Sequence, residues 1–165
     1  MSRSLRIEPA ETPEDLAAVR VLLKMYWKSF GFTPCFQNFS AELAGLPGAY
    51  APPRGRLAMA WLDGPSGSLS EPAGCIALRP ADECRGEAKR LFVRPEFRGL
   101  GIGRALVEWL IGEARGAGYT ELIGDSLPVM GEALALYDRI GFERTSVADG
   151  TIYLRLQLEG VPQGE

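Results

Sequence analysis

The sequence predicts an α+β fold built on one mixed sheet, and two observations carry that prediction. A strand, a helix and a second strand follow one another in mid-chain, with the strands at Glu87–Val93 and Glu121–Ser126. Two strands joined through a helix pair in parallel, with a right-handed crossover. Apolar runs joined by short turns flank this unit and are typical of antiparallel pairs. We therefore expect one parallel pair set among antiparallel strands.

The N-terminal part predicts one strand and two helices. Leu5–Pro9 has the length of a short strand. Thr12 to Asp15 is typical of a helix start, because Thr12 can cap, Pro13 suits the first turn and the two acids favour the positive end of the dipole. A second short helix is expected over Ser40–Ala44. Apolar residues at helical spacing mark the first helix up to Gly31: Leu16, Val19, Leu22, Leu23, Tyr26, Trp27 and Phe30.

Apolar runs separated by turn residues predict the outer strands. Arg56–Asp63 and Ala73–Arg79 are expected to form a hairpin. Glu71-Pro72 is expected outside the sheet interior, because proline has no N–H to donate to a ladder. The closing antiparallel pair is expected at Phe142–Val147 and Ile152–Leu158.

Two amphipathic helices complete the prediction. The first ends at Gly116–Gly118, and the second stops at Gly141. Their apolar faces are expected to carry Ile102, Ala105, Leu106, Trp109 and Leu110 in the first, and Ala133, Leu136, Tyr137 and Ile140 in the second.

Composition narrows the function classes. A chain of 165 residues with 46% hydrophobic and 24% charged residues predicts a single domain, 1–165. A net charge of −3 argues against a nucleic-acid partner. The absence of histidine excludes Ser-His-Asp chemistry and His-ligated metals, and no metal is expected. The three cysteines form no C-x-x-C pair, and no stretch suits a signal or a membrane span, so we expect a cytoplasmic protein without a membrane partner.

A glycine-rich run, Arg98–Arg104, stands between a predicted strand and a helix. Alternating glycines let the backbone curl so that its N–H groups converge, and the helix N-terminus adds unpaired N–H groups. Neither the dinucleotide pattern nor the Walker pattern is present, which disfavours a nucleotide-binding protein. On this run alone, a tight structural turn and a phosphate site both stay open.

Two segments resemble a known family. LFVRPEFRGLGIGRALVEWLIGEARGAGY resembles the acyl-coenzyme A motif of the GNAT superfamily of N-acetyltransferases, and ALALYDRIGFER resembles its next motif. The resemblance runs from Glu87 to Arg144. It implies a mostly antiparallel sheet of six to seven strands, about four helices, and a parallel pair that splays at the coenzyme site. It also implies acetyl-CoA as cofactor.

The resemblance also implies roles for particular residues. Tyr137 matches the tyrosine that approaches the coenzyme A sulfur. Met130 stands where the family often has Asn, and Ser126 is a candidate to make the contact with the coenzyme that this Asn would make. The resemblance places the pantetheine arm along the backbone of Leu91, Phe92 and Val93. It places the pyrophosphate on the backbone amides of Arg98, Gly99, Leu100, Gly101, Ile102, Gly103 and Arg104.

Two side chains are candidates for proton transfer. Glu87 begins the strand that leads to the acetyl site and is our candidate base, although a solvated strand-end carboxylate is the plain alternative. Tyr137 is our candidate acid, and core packing is its alternative. Asp82 and Glu83 are weaker candidate bases.

The acceptor side carries no readable motif. Tyr26, Trp27, Phe30 and Phe32 crowd the end of the first helix and are candidates for a pocket, as are Asp125 and Ser126 at a strand end. We expect direct N-acetyl transfer to a primary amine of a small molecule or amino-acid-like acceptor, because no cysteine stands in a motif position. A protein amine, or a non-catalytic acyl-CoA sensor, stays an alternative, and a homodimer is possible on the resemblance.

Overall fold

The structure is a computed structural model that describes residues 4–29, 31, 39–64, 69–127 and 130–158. These ranges hold seven strands and four α-helices, together with short 3-10 turns. In chain order the elements are β1 Leu5–Pro9, α1 Pro13–Ser29, α2 Phe39–Ala44, β2 Arg56–Leu62, β3 Glu71–Pro80, β4 Arg85–Val93, α3 Ile102–Gly116, β5 Glu121–Ser126, α4 Gly131–Ile140, β6 Glu143–Ala148 and β7 Thr151–Gln157.

One mixed sheet contains all seven strands, in the order β1-β2-β3-β4-β5-β7-β6. β4 and β5 pair in parallel, and every other neighbouring pair is antiparallel. The predicted fold class, the β2–β3 hairpin and the closing β6–β7 pair are confirmed.

The start of α1 follows from the predicted cap. The Asp15 N–H donates to Thr12 Oγ1 at 3.0 Å, and the Asp15 carboxylate accepts in turn from the Thr12 N–H at 3.3 Å. These two bonds satisfy backbone groups that the first helical turn leaves without partners.

Some predicted strand boundaries were wrong. β3 begins two residues before Ala73, and Pro72 pairs with Trp61 of β2 at a register shift. Pro72 is tolerated there because β4 joins the other side of β3 only from Gly74 onward. β4 likewise begins at Arg85, two residues before the predicted start.

The sheet separates two apolar clusters. α3 and α4 cover one face, where Leu106, Leu110 and Leu122 are fully buried. α1 and α2 cover the other face, where Leu22 and Leu23 are buried. Trp109 was expected on the buried face of α3 but is half-buried; Val107, Ile111 and Ala114 are buried instead.

A gap opens between β4 and β5. Their parallel ladder runs only from the pair Arg85–Glu121 to the pair Glu87–Ile123, although β4 continues to Val93. Beyond that point the two strands diverge, so the gap reaches from one face of the sheet to the other. This is the splay that the resemblance implied.

A β-bulge interrupts β4 beside the gap. Lys89 pairs with Ala77 and Phe92 pairs with Cys75, so Arg90 and Leu91 together oppose Ile76. Arg90 adopts a left-handed conformation, with φ of 62°. Such a bulge leaves one residue unpaired and re-aims side chains. As a result, Lys89 and Arg90 both project toward the α1–α2 face, while Leu91 packs on the α3–α4 side.

Candidate active site

The gap between β4 and β5 forms a pocket, which we call the splay pocket. Its lining comes from β4, β5, α1 and α4, so it connects the two faces of the sheet. The lining residues are Tyr26, Trp27, Ala88, Lys89, Arg90, Leu91, Asp125, Ser126, Leu127, Met130, Ala133 and Tyr137. The structure therefore brings five of the candidate site residues together: Tyr137, Tyr26, Trp27, Ser126 and Leu91.

The glycine loop, Arg98–Arg104, follows the end of β4 and turns into α3. Gly99 and Gly101 have φ of 84° and 82°, a conformation that side chains with a Cβ rarely adopt. The first helical bond runs from the Ala105 N–H to the Gly101 carbonyl. Within the described ranges, the N–H groups of Gly99 through Arg104 have no acceptor. A run of free amides at a helix N-terminus is suited to bind an anion such as a phosphate.

The charged ends of this loop are held by local contacts. The Arg98 guanidinium donates to the Val93 carbonyl at 3.1 Å and lies 3.7 Å from Glu132. Arg104 pairs with Glu108 along the exposed face of α3 at 3.0 Å. Gly103 lies against Leu136 of α4, where a Cβ would be 3.3 Å from the Leu136 Cδ2. The loop is thereby placed beside α4 and the end of β4.

Lys89 and Asp125 form an ion pair in the splay pocket. The Lys89 Nζ lies 3.1 Å from the Asp125 Oδ1 and 3.6 Å from the Glu87 Oε2, and the Lys89 side chain is only 9% exposed. Glu87 also accepts a hydrogen bond from the Arg79 Nε at 2.8 Å. Asp125 lines the pocket, whereas Glu87 does not line it and contacts the lining residue Lys89. A water or a shift of Lys89 is needed for Glu87 to reach an acceptor.

Arg90 is the second cation of the pocket. Its guanidinium binds both oxygens of Glu42, at 2.6 and 2.8 Å, and lies 4.8 Å from the ring centroid of Trp27. Burial alone would raise the pKa of Glu42, but the hydrogen bonds and charge of Arg90 outweigh it, so that pKa lies below its usual range. The pair anchors α2 to β4.

Two phenols line the pocket from opposite faces of the sheet. Tyr137 is buried, packs on Phe142 with ring centroids 5.0 Å apart, and has a pKa well above the usual value because of burial and the nearby Tyr26 and Asp125. Burial raises the pKa of Tyr26 to about 12, against the opposing charge of Arg90. Its hydroxyl donates to the Met130 sulfur at 3.7 Å. Met130 therefore contacts α1 through its thioether.

Ser126 is the remaining polar group of the pocket. It is 5% exposed, and its Oγ has no hydrogen-bond partner among the residues that the structure describes. A buried hydroxyl without a partner is costly, which suggests that a bound ligand satisfies it.

Other candidates lie elsewhere. Asp82 pairs with Arg85 at 2.7 Å, and Asp82 and Glu83 line a separate cleft at the other end of the β4–β5 pair. Phe30, Phe32 and Cys35 lie outside the described residues. Among the remaining residues, no group of three or more His, Cys, Asp or Glu side chains is placed to hold a metal ion.

Sequence reasoning missed Lys89 and Arg90. Both stand within the predicted strand Glu87–Val93, and regular alternation along a strand would place one of two adjacent cations on a solvent-facing side. The available signal was the rarity of two adjacent basic residues inside an otherwise apolar run, AKRLFV. Their common direction depends on the bulge.

Neither of the two cysteines that the structure describes lines the splay pocket. Cys75 is fully buried, and burial raises the pKa of its thiol to about 12, so the thiol stays protonated and is a poor nucleophile. Cys84 is exposed and lines the separate cleft.

Comparison with known proteins agrees with this architecture. Residues 54–144 match the family model of the acetyltransferase (GNAT) domain. A Schizosaccharomyces pombe protein named as an uncharacterized N-acetyltransferase is 33% identical over 162 residues, covering 94% of this chain and 96% of that protein. The chain belongs to the GNAT family of acetyltransferases. It is therefore an acyltransferase.

Solved structures show the same fold. A GNAT acetyltransferase from Staphylococcus aureus Mu50 aligns with a TM-score of 0.76 at 15% identity, over 94% of this chain and 100% of that chain. A Salmonella typhimurium protein, determined with its cofactor acetyl-CoA, aligns with a TM-score of 0.69 at 17% identity, over 98% of each chain. Within the described ranges, no helix is long and apolar enough to cross a membrane.

Proposed function

We propose that this protein transfers an acetyl group from acetyl-CoA to a primary amine of a small molecule or amino-acid-like acceptor, by direct attack. The observation that carries the proposal is the juxtaposition of the free amides of the glycine loop with the splay pocket. The loop suits the pyrophosphate of coenzyme A, and the pocket suits the acetyl group and the amine.

The chain offers a fitting place for each part of acetyl-CoA. The amides of Gly99 to Arg104 hold the pyrophosphate, with Arg98 and Arg104 adding charge nearby. The backbone of Leu91 to Val93 has no β5 partner at the splay, so its polar groups on that side, apart from the Val93 carbonyl that accepts from Arg98, can bind the pantetheine arm like an added strand. Acetyl-CoA supplies an activated acetyl group as a thioester.

Glu87, which lies beside the pocket, and Tyr137, which lines it, then transfer the protons. The amine nitrogen forms a bond to the acetyl carbon, and the carbon–sulfur bond breaks. Glu87 accepts the proton that the amine loses, directly or through a water. Tyr137, whose phenol is protonated at neutral pH, donates a proton to the departing sulfur. Alignment of the two reactants supplies much of the remaining rate enhancement.

Acetyl-CoA turnover with a panel of amines tests the proposal. We expect release of coenzyme A that depends on a primary amine and yields its N-acetyl product. Tight binding of acetyl-CoA without transfer to any small amine or protein amine would instead support a non-catalytic sensor. Transfer only to protein amines would contradict the small-molecule acceptor. A cytoplasmic location and a homodimer stay predictions.

Gly101→Ala is expected to weaken acetyl-CoA binding about tenfold. An alanine at φ of 82° costs on the order of 1–2 kcal/mol, and the loop escapes that strain by turning its amides away from the ligand. Calorimetric titration with coenzyme A measures the change. Gly112→Ala, at an exposed position inside α3 with open space around it, is the matched control and should keep wild-type affinity. Equal affinities in the two variants would contradict an anion site on the glycine loop.

Glu87→Gln is expected to lower kcat about a hundredfold at neutral pH. The deficit should shrink as pH rises, because the amine then loses its proton to the solvent and needs no base. Steady-state rates from pH 6 to 10 give the profile, which should shift upward in the variant. Glu83→Gln removes an exposed loop carboxylate and should leave the profile unchanged. A wild-type profile in Glu87→Gln would remove Glu87 from the mechanism.

A further inference from the structure

We propose that the Lys89–Asp125 ion pair selects a zwitterionic acceptor, an α-amino acid whose ammonium binds Asp125 and whose carboxylate binds Lys89. The inference rests on the proposed function and names the acceptor class of the same pocket.

The geometry places this pair where an acceptor arrives. Lys89 projects toward the α1–α2 face, because Ala77, its partner on β3, packs in the cluster of that face. Asp125 reaches the same side from β5, 3.1 Å away. Tyr137 and Ser126 line the pocket from the opposite side. The donor arm and the acceptor thus meet in the gap from different faces of the sheet.

The balance of charges around the splay pocket indicates which kind of acceptor the pocket can bind. Around the pocket, the closest contacts of the described charged groups are Lys89 with Asp125, Arg90 with Glu42, and Arg79 with Glu87, and Lys89 also lies 3.6 Å from Glu87. An acceptor carrying only an ammonium would compete with Lys89 for Asp125 and leave the buried lysine with only its longer contact to Glu87, a carboxylate already bound by Arg79. Such an unpaired buried charge is strongly unfavourable. A zwitterion adds no net charge and gives both members of the opened pair a new partner.

The short distance between Lys89 and Asp125 further restricts the class of acceptor. The pair is in direct contact, so an acceptor whose ammonium and carboxylate stand on one carbon can bridge Lys89 and Asp125 with a small displacement of the Lys89 chain. Releasing Lys89 from the carboxylates also frees Glu87 to take a proton. Tyr26, Trp27 and Met130 line the same side, and their apolar surfaces suit an apolar or aromatic side chain on the acceptor.

Matched acceptor sets test the proposal. Each set keeps one side chain and varies the carboxylate: phenylalanine, phenylalaninamide and 2-phenylethylamine, then leucine, leucinamide and 3-methylbutylamine. For at least one set, wild-type kcat/KM should be about ten- to a hundredfold higher for the amino acid than for its amide or amine. Lys89→Met should reduce that ratio to about one. Asp125→Asn should raise KM for all members more than it lowers kcat.

Controls distinguish a loss of acceptor selection from a loss of the folded structure. Melting temperature and coenzyme A affinity are measured for each variant, and Lys89→Gln serves as a second polar replacement. Lys24→Met removes an exposed lysine of α1 and should keep the wild-type ratio. A wild-type protein that treats amino acids and amines alike overturns the proposal. So does a preference that survives in folded Lys89→Met and Lys89→Gln.

Binding distinguishes this proposal from the proposed function. If wild type acetylates none of these compounds, phenylalanine and leucine are titrated into the coenzyme A-loaded protein. Binding that Lys89→Met abolishes would support the ion-pair selection while contradicting the transfer reaction. No binding of either amino acid would overturn both.

Discussion

Glu42→Ala is expected to destabilise the protein by about 3–5 kcal/mol, because it leaves the Arg90 guanidinium buried without its carboxylate. The Arg90 side chain is 5% exposed, and both of its bonds to Glu42 are short. The same carboxylate accepts the Tyr50 hydroxyl at 3.1 Å, so a second buried polar group loses its partner. Urea unfolding of wild type and variant measures the difference.

A surface pair supplies the control for that measurement. Glu108→Ala breaks the exposed pair with Arg104 on α3, where both side chains are about half-exposed, and should cost less than about 1 kcal/mol. Similar losses in the two variants would show that the buried pair contributes no more than a surface one.

The destabilisation should depend on pH in one direction. The pKa of Glu42 in the folded protein lies below its usual value, so the ionised carboxylate stabilises the fold at pH values above the usual pKa. That contribution is lost as pH falls through the lowered pKa. The gap between wild type and Glu42→Ala should therefore be widest near neutral pH and narrow below about pH 4.

Tyr137→Phe is expected to lower kcat about a hundredfold or more, with little change in acetyl-CoA affinity. In the proposed mechanism the phenol donates a proton to the leaving sulfur, and phenylalanine keeps the ring contact with Phe142 but has no proton to give. Burial raises the pKa of Tyr137 well above its usual value, so its titration should not limit wild-type turnover below about pH 10. Stopped-flow and steady-state rates give kcat, and calorimetry gives the affinity.

Tyr119→Phe provides the opposite combination. Tyr119 is also buried, but its hydroxyl donates to the Arg54 carbonyl at 2.8 Å, and it does not line the splay pocket. Its loss should cost about 1 kcal/mol of stability and leave kcat unchanged. Wild-type kcat in Tyr137→Phe would assign Tyr137 to core packing alone.

The sequence contains most of the fold in local signals. The cap at Thr12, the glycine stop at Gly141 and the apolar periodicities place the helices and strands to within a few residues. The position of β7 between β5 and β6, by contrast, does not follow from local signals in the sequence. A hairpin pattern shows that β6 and β7 pair, but which of them contacts β5 is decided by tertiary packing.

The candidate site could also be predicted only in part. Motif resemblance identified the glycine loop and Tyr137, because each belongs to a motif that is contiguous in sequence. It did not find the partnership of Arg90 with Glu42, which lies 48 residues away on a short helix with no pattern that signals it. Period-two alternation also assigns Lys89 and Arg90 to opposite faces, and only the register of β4 against β3 corrects this.

The bulge at Arg90 shifts the alternation of side chains along β4 by one residue. Up to Lys89 the odd-numbered residues face α1 and α2, whereas from Leu91 onward the odd-numbered residues face α3 and α4. Deleting Arg90 would restore regular pleating with Leu91 opposite Ile76, so the apolar side chains would keep their faces and only the pair with Glu42 would be lost. Deleting Leu91 instead would place the Arg90 guanidinium opposite Ile76, inside the apolar cluster under α3. The strand therefore needs both residues at this point, one for each face of the sheet.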